Sequence, residues 1–143
     1  MQHAGSDSYR IGARDGVLRI ERHGPEPWGK VVQAIPAAAL VGRTLEFSAE
    51  LRGELAPPGE RFVTPSGLVA VVHGAPPGAP AILGETVLGQ RLGEPELGEG
   101  RHGWKVQRLR LEVPEGASRI ELGLILGHQG WIELRHPALR PLP

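Results

Sequence analysis

GWKVQRLRLEVPEGASRIELGLILGHQGWIEL, residues 103–134, alternates apolar and polar side chains over most of its length. Leu109, Leu111 and Val113 lie between Gln107, Arg108, Arg110 and Glu112. After VPEGAS the alternation resumes at Ile120, Leu122, Leu124 and Leu126. A period of two sends successive side chains to opposite faces of a strand, so one face is built for a core and the other for water. VPEGAS is then expected to be the turn joining two adjacent strands.

The same pattern extends outward along the chain. VLRIER (17–22) sets Leu18 and Ile20 against Arg19 and Glu21, and KVVQAI (30–35) is a compact β-branched run. In TLEFSAELR (44–52) Leu45, Phe47, Ala49 and Leu51 alternate with Glu46, Ser48, Glu50 and Arg52. GLVAVVH (67–73) is apolar on both faces and is expected to be covered on both. PAAALVG (36–42) reads as a single helical turn. A turn-rich insert follows residue 73, with short strands expected at 81–83 and 86–88. The last three strands are expected at 105–113, 119–127 and 131–139. About eight short strands between Gly and Pro turns, with no helical alternation, argue for an all-β, antiparallel sandwich or barrel. The domain is expected over 15–143, with 1–14 as a flexible tail.

Bulk composition narrows the function. Of 143 residues, 16 are Lys or Arg and 16 are Asp or Glu, a formal net charge of zero. Nucleic acid and anionic membrane are held chiefly by excess positive charge, so neither is an expected partner. With no cysteine, disulfides, thiolate metal sites and thiol nucleophiles are excluded. The opening MQHAGSDSYRIG shows no basic segment leading into an apolar one, so no signal peptide is visible; a cytoplasmic protein, slightly favoured, or a domain cut from a larger one fits that start.

Two stretches carry a resemblance. WGKVVQAIPAAALVGRTLEFSAELRGE (28–54) has an aromatic and glycine, Gln-x-Ile, a short helical turn, Gly-Arg and a strand with Ser-Ala-x-x-Arg. Residues 103–134 have a Trp before a strand, Val-Pro-x-x-Ala, a glycine turn and a Trp-bearing last strand. From about Tyr9 to Leu139 the chain resembles the galactose-binding-domain-like β-jelly roll, in the branch of non-catalytic carbohydrate-binding modules, which implies an all-β, antiparallel jelly-roll β-sandwich. Trp104 and Trp131 occupy positions that look structural in that family, so the resemblance implies core packing for both. Copies of that branch are also appended to bacterial regulators and enzymes. Members often carry an Asp after the last-strand Trp, where this chain reads WIELRH, and an Asp-Asn pair that is missing here.

Catalytic constellations are thin. The serines lie outside any Gly-x-Ser-x-Gly elbow, and both aspartates, Asp7 and Asp15, fall near the N-terminus. Glu46 and Glu50 share a strand face and offer an acid–base pair, a role less expected than simple exposure. The six histidines are scattered, with His73 and His128 the pair a fold would most readily gather. GEPELGEGRHGWK lacks the Gly-Lys-Ser/Thr and following helix of a phosphate loop. No cofactor, metal or catalytic residue is expected.

A polar face remains: Arg19, Glu21, Glu46, Glu50, Arg52, Arg108, Arg110, Glu112, Glu121, Glu133 and Arg135. Such a face either lines a groove for a polar ligand or simply pairs its charges across strands, the second being favoured. The leading functional reading is a non-catalytic module for a carbohydrate or related small polar ligand. Trp28, Gln33, Arg52, His73 and Arg110 are its candidate contacts. The alternative is an accessory domain that binds a protein partner, a second copy of itself, or a larger enzyme or regulator.

Overall fold

The computed structural model describes residues 2–4, 6–59, 63–80, 82 and 84–143. Among them are ten strands: β1 (Gln2–Ala4), β2 (Tyr9–Arg14), β3 (Val17–Arg22), β4 (Gly29–Pro36), β5 (Thr44–Ala56), β6 (Gly67–Gly74), β7 (Thr86–Leu92), β8 (Gly100–Glu112), β9 (Ala117–Leu126) and β10 (Gln129–Pro141). They form two antiparallel sheets. The first has the order β1-β4-β9-β6-β7 and the second β2-β3-β10-β5-β8. Strands β3 to β10 pass between the two sheets in jelly-roll fashion, only β6 and β7 following one another in the same sheet. They correspond to eight of the nine stretches expected as strands. The single helical turn at Ala38–Leu40 also lies where composition placed it. Of the strand expected at 81–83, residues 81 and 83 lie outside the described residues, and Ile82 is not in a strand.

The core is the layer between the sheets. The second sheet contributes Ile20, Leu45, Phe47, Leu51, Leu55, Leu109, Leu111, Ile132 and Leu134, and the first Val31, Leu68, Ala70, Val72, Ile120, Leu124 and Leu126. Each obeys the period-two rule within its strand. Val32, Val69, Val71 and Ile125 sit on the other face of the first sheet and are buried as well, so β6 is covered on both sides.

Two expectations change. The N-terminal stretch is paired rather than loose, since β1 adds to β4 and β2 to β3. Asp15 and Gly16, both at positive φ, make the tight turn between β2 and β3. Tyr9 is buried and its hydroxyl donates to the Glu26 carbonyl at 3.0 Å. The second change concerns VPEGAS, which does not join neighbours in one sheet. β8 is an edge of the second sheet and β9 the centre of the first, so the segment crosses the sandwich. The leucines on its two sides face one another across the core.

Candidate functional site

Strand registers lay out the outer face of the second sheet as rows running across it. One row carries Arg10, Glu21, Trp131 and Glu54, and the next Gly12, Arg19, Glu133 and Arg52. Farther along are Arg135 and Glu50, then Ala138, Ser48 and Arg108, then Arg140, Glu46 and Arg110. Acidic residues in these rows are held between cations. Glu133 takes Arg52 Nε at 2.6 Å and Arg19 at 3.3 Å. Glu46 is nearly buried and accepts two N–H bonds from Arg140, at 2.8 and 3.0 Å. Glu50 is bound by Arg135 at 3.2 Å and by His136, and hydrogen bonds from these two hold its carboxyl below the ordinary glutamate value.

The tryptophans correct a third expectation. Trp104 and Trp131 are not in the core; both lie half-buried on this outer face. The Arg19 guanidinium sits 4.2 Å from the Trp131 ring centre, and Arg135 and Arg52 sit 4.0 and 4.6 Å from that of Trp104. Such contacts join a charged donor to a π-face. The parity of the sequence carried this signal. Trp131 shares its parity with Glu133 and Arg135, and Trp104 with Arg108 and Arg110, the polar side of each strand. Beside this face the β2–β3 hairpin walls a groove of about 610 Å³ lined by Arg10, Gly12, Arg19, Glu21, Arg52 and Glu133.

The five candidate contacts do not converge. Arg52 and Arg110 share the outer face just described, in different rows. Trp28 is 40% exposed in the loop before β4. Gln33 lines the opening of an apolar cavity of about 280 Å³ between the sheets, walled by Val17, Leu18, Ile35, Phe47 and Leu122.

His73 lies on the outer face of the other sheet, where its Nε2 is 2.6 Å from Glu121. Glu121, placed by alternation on the same polar face as Arg19 and Glu133, belongs instead to this second cluster, with Lys30 at 3.4 Å and Arg119 at 3.3 Å. Burial pushes its carboxyl up, but His73, Lys30 and Arg119 outweigh that and hold it below the ordinary value. His128 is elsewhere, buried, with Nδ1 2.7 Å from Ser66 Oγ, and burial pushes its pKa down. Ser66 Oγ also accepts the Gly127 N–H at 2.9 Å. Sequence reasoning also missed Gln107, only 1% exposed, which accepts from Leu68 N–H at 2.9 Å and donates to the Pro95 carbonyl at 2.7 Å. Its parity with Leu109 was the available clue.

No protein-family model matches the chain, and no curated protein is similar to it in sequence. Solved structures do match. A CBM4 module aligns with TM-score 0.53 and 16% identity over 96% of this chain and 81% of its own. The CBM22-1 xylan-binding domain of Paenibacillus barcinonensis Xyn10C aligns with TM-score 0.56 and 13% identity over 98% and 84%. The enzymatically active domain of bacteriophage CBA120 tailspike protein 4 aligns with TM-score 0.55 and 13% identity over 98% of this chain, which spans only 19% of that one. At these identities the likeness is one of architecture: the chain has the β-sandwich fold of carbohydrate-binding modules of the CBM4 and CBM22 types.

Proposed function

We propose that the chain is a non-catalytic module that binds a carbohydrate on the outer face of the second sheet. The observation that carries this reading is the placing of Trp104 and Trp131 on that face among Arg19, Arg52 and Arg135. A sugar ring presents C–H groups to an aromatic surface, while its hydroxyls exchange hydrogen bonds with guanidinium donors and carboxylate acceptors. The groove beside β2 and β3 gives such a ligand a wall to lie against. This reading keeps Arg52 and Arg110 as contacts and adds the two tryptophans. It does not use Trp28, Gln33 or His73, which lie elsewhere. It assigns no acid–base work to Glu46 and Glu50, because arginines engage both.

A second reading rests on a different observation. Glu21, Glu46, Glu50, Glu54 and Glu133 each lie within ion-pair distance of an arginine, so the carboxylates of the face are satisfied within it. That favours an accessory domain whose face keeps the sheet soluble while another surface meets a protein partner.

A glycan array followed by a thermal-shift screen of mono- and oligosaccharides separates the two. The module reading predicts a saccharide that raises the melting temperature, with the shift lost in Trp131→Ala and in Trp104→Ala. Both rings lie outside the core, so the unliganded variants are expected to melt within about 5 °C of the parent. No shift with any saccharide, together with a mass that rises with concentration in light scattering, is the outcome of the second reading.

A further inference from the structure

At the far end of the same face the segment after β7 turns toward the second sheet. Its Glu94 exchanges backbone hydrogen bonds with Arg108 of β8, at 2.7 and 2.9 Å, and forms one side of a cleft. The cleft measures about 620 Å³ and is lined by Glu46, Arg91, Glu94, Arg108 and Arg110, with Leu92, Pro95 and Leu109. Its charges do not balance. Glu46 is already taken by Arg140, and the Arg110 Nε lies 3.8 Å from it with its side chain 73% exposed. Among the described residues Arg108 and Arg91 have no carboxylate within ion-pair distance, and the Arg91 guanidinium only reaches its neighbour's carbonyl, Gln90 O, at 3.1 Å. The row through Arg108 explains part of this, since its β5 and β10 positions are Ser48 and Ala138, which carry no charge. With Arg140 included, four arginines face two glutamates.

We infer that this cleft binds the anionic substituent of an acidic saccharide, a carboxylate or sulfate ester held by Arg108 and Arg110 with Arg91 opposite. The planar guanidinium fork matches both groups with paired, charge-assisted hydrogen bonds, and two positive charges in excess favour a ligand that brings negative charge. The inference rests on the carbohydrate reading and specifies its substrate class: a chain lying across the tryptophans reaches the cleft along the same face.

Calorimetric titration of the full chain tests it, using oligosaccharides in matched pairs. These are oligogalacturonate, oligomannuronate and glucuronate-bearing xylo-oligosaccharides, each against its methyl ester, and sulfated against unsulfated galacto-oligosaccharide. The expected result is at least one acidic member binding about tenfold tighter than its neutral partner. That advantage disappears in the Arg108→Gln/Arg110→Gln double variant and survives in Arg43→Gln, a surface control outside the cleft. A parent-like melting temperature in the double variant confirms its fold. Equal affinity within every pair, or an advantage that survives the double substitution, overturns the acidic-saccharide inference and leaves the carbohydrate reading standing. If no member of any pair binds, both fall. If inorganic phosphate alone binds as tightly as the acidic sugars, the cleft is a simple anion site and the inference is overturned.

Discussion

A carboxylate taken out of water needs cations or hydrogen bonds, and Glu121 shows the requirement most plainly. Its side chain is 7% exposed and meets His73, Lys30 and Arg119. Removing it leaves three cationic or hydrogen-bonding groups crowded together without their acceptor. Glu121→Ala is expected to cost about 2–3 kcal/mol at pH 7, read from urea denaturation. The pH dependence follows from the depressed carboxyl. Its stabilisation is complete above the unfolded value of about 4.3 and is lost as pH falls through the lower folded value. The gap between parent and variant therefore narrows toward pH 3, and a gap unchanged between pH 7 and pH 3 contradicts the assignment. At this scale sequence parity told which side of a strand a residue takes. It put Leu109 and Gln107 on one side and Trp104 with Arg108 on the other. Residue type argued the opposite for Gln107 and both tryptophans, and there parity was the better guide because the pleat leaves no third direction.

Elements were legible where alternation is long and broken where backbone chemistry decides. β5 alternates over Leu45 to Leu51 and was readable from Thr44 to Arg52, although the strand runs on to Ala56. The link between β8 and β9 was not, because a hairpin and a crossover preserve the same inward parity. Sheet membership, set by long-range pairing, leaves no local trace. Glu121 was misplaced for this reason: its parity is that of an outward residue, and nothing near it tells which sheet it is outward from. What does show the crossover is packing at its bend. Gly116 sits at φ +89°, and a Cβ there would run into the Ala75 carbonyl oxygen. The bend is thus pressed against the chain leaving β6. Gly116→Ala combines a left-handed backbone with a backbone collision, and its expected cost is about 2–4 kcal/mol. Differential scanning calorimetry should show the melting temperature falling by about 5–15 °C. A loss under 2 °C would mean that the crossover is loosely held.

Over the whole molecule the zero net charge hides an uneven arrangement. The outer face of the second sheet holds two tryptophans, rows of paired charges, a groove at the β2–β3 end and a cleft with excess arginine at the β8 edge. With strands spaced about 4.8 Å apart, five of them give a face about 19 Å across, wide enough for an extended ligand to touch both edges. The outer face of the first sheet is different, with buried Val32, Val69, Val71 and Ile125 beside the Glu121 cluster. The antiparallel sandwich was legible from alternation and turn spacing, and the jelly roll from the family resemblance. A single gathered site was not, because Trp28, Gln33, Arg52, His73 and Arg110 were chosen by residue type, and the two sheets carry them to different surfaces. The central claim is that the face bearing Trp104 and Trp131 holds a carbohydrate. Amide and indole chemical-shift mapping by NMR, with the saccharide that most raises the melting temperature, tests it directly. Saturable shifts are predicted at Trp104, Trp131, Arg52, Glu133 and their row neighbours on β10, β5 and β8. Shifts confined to the outer face of the first sheet, or no saturable shift with any saccharide, would contradict it.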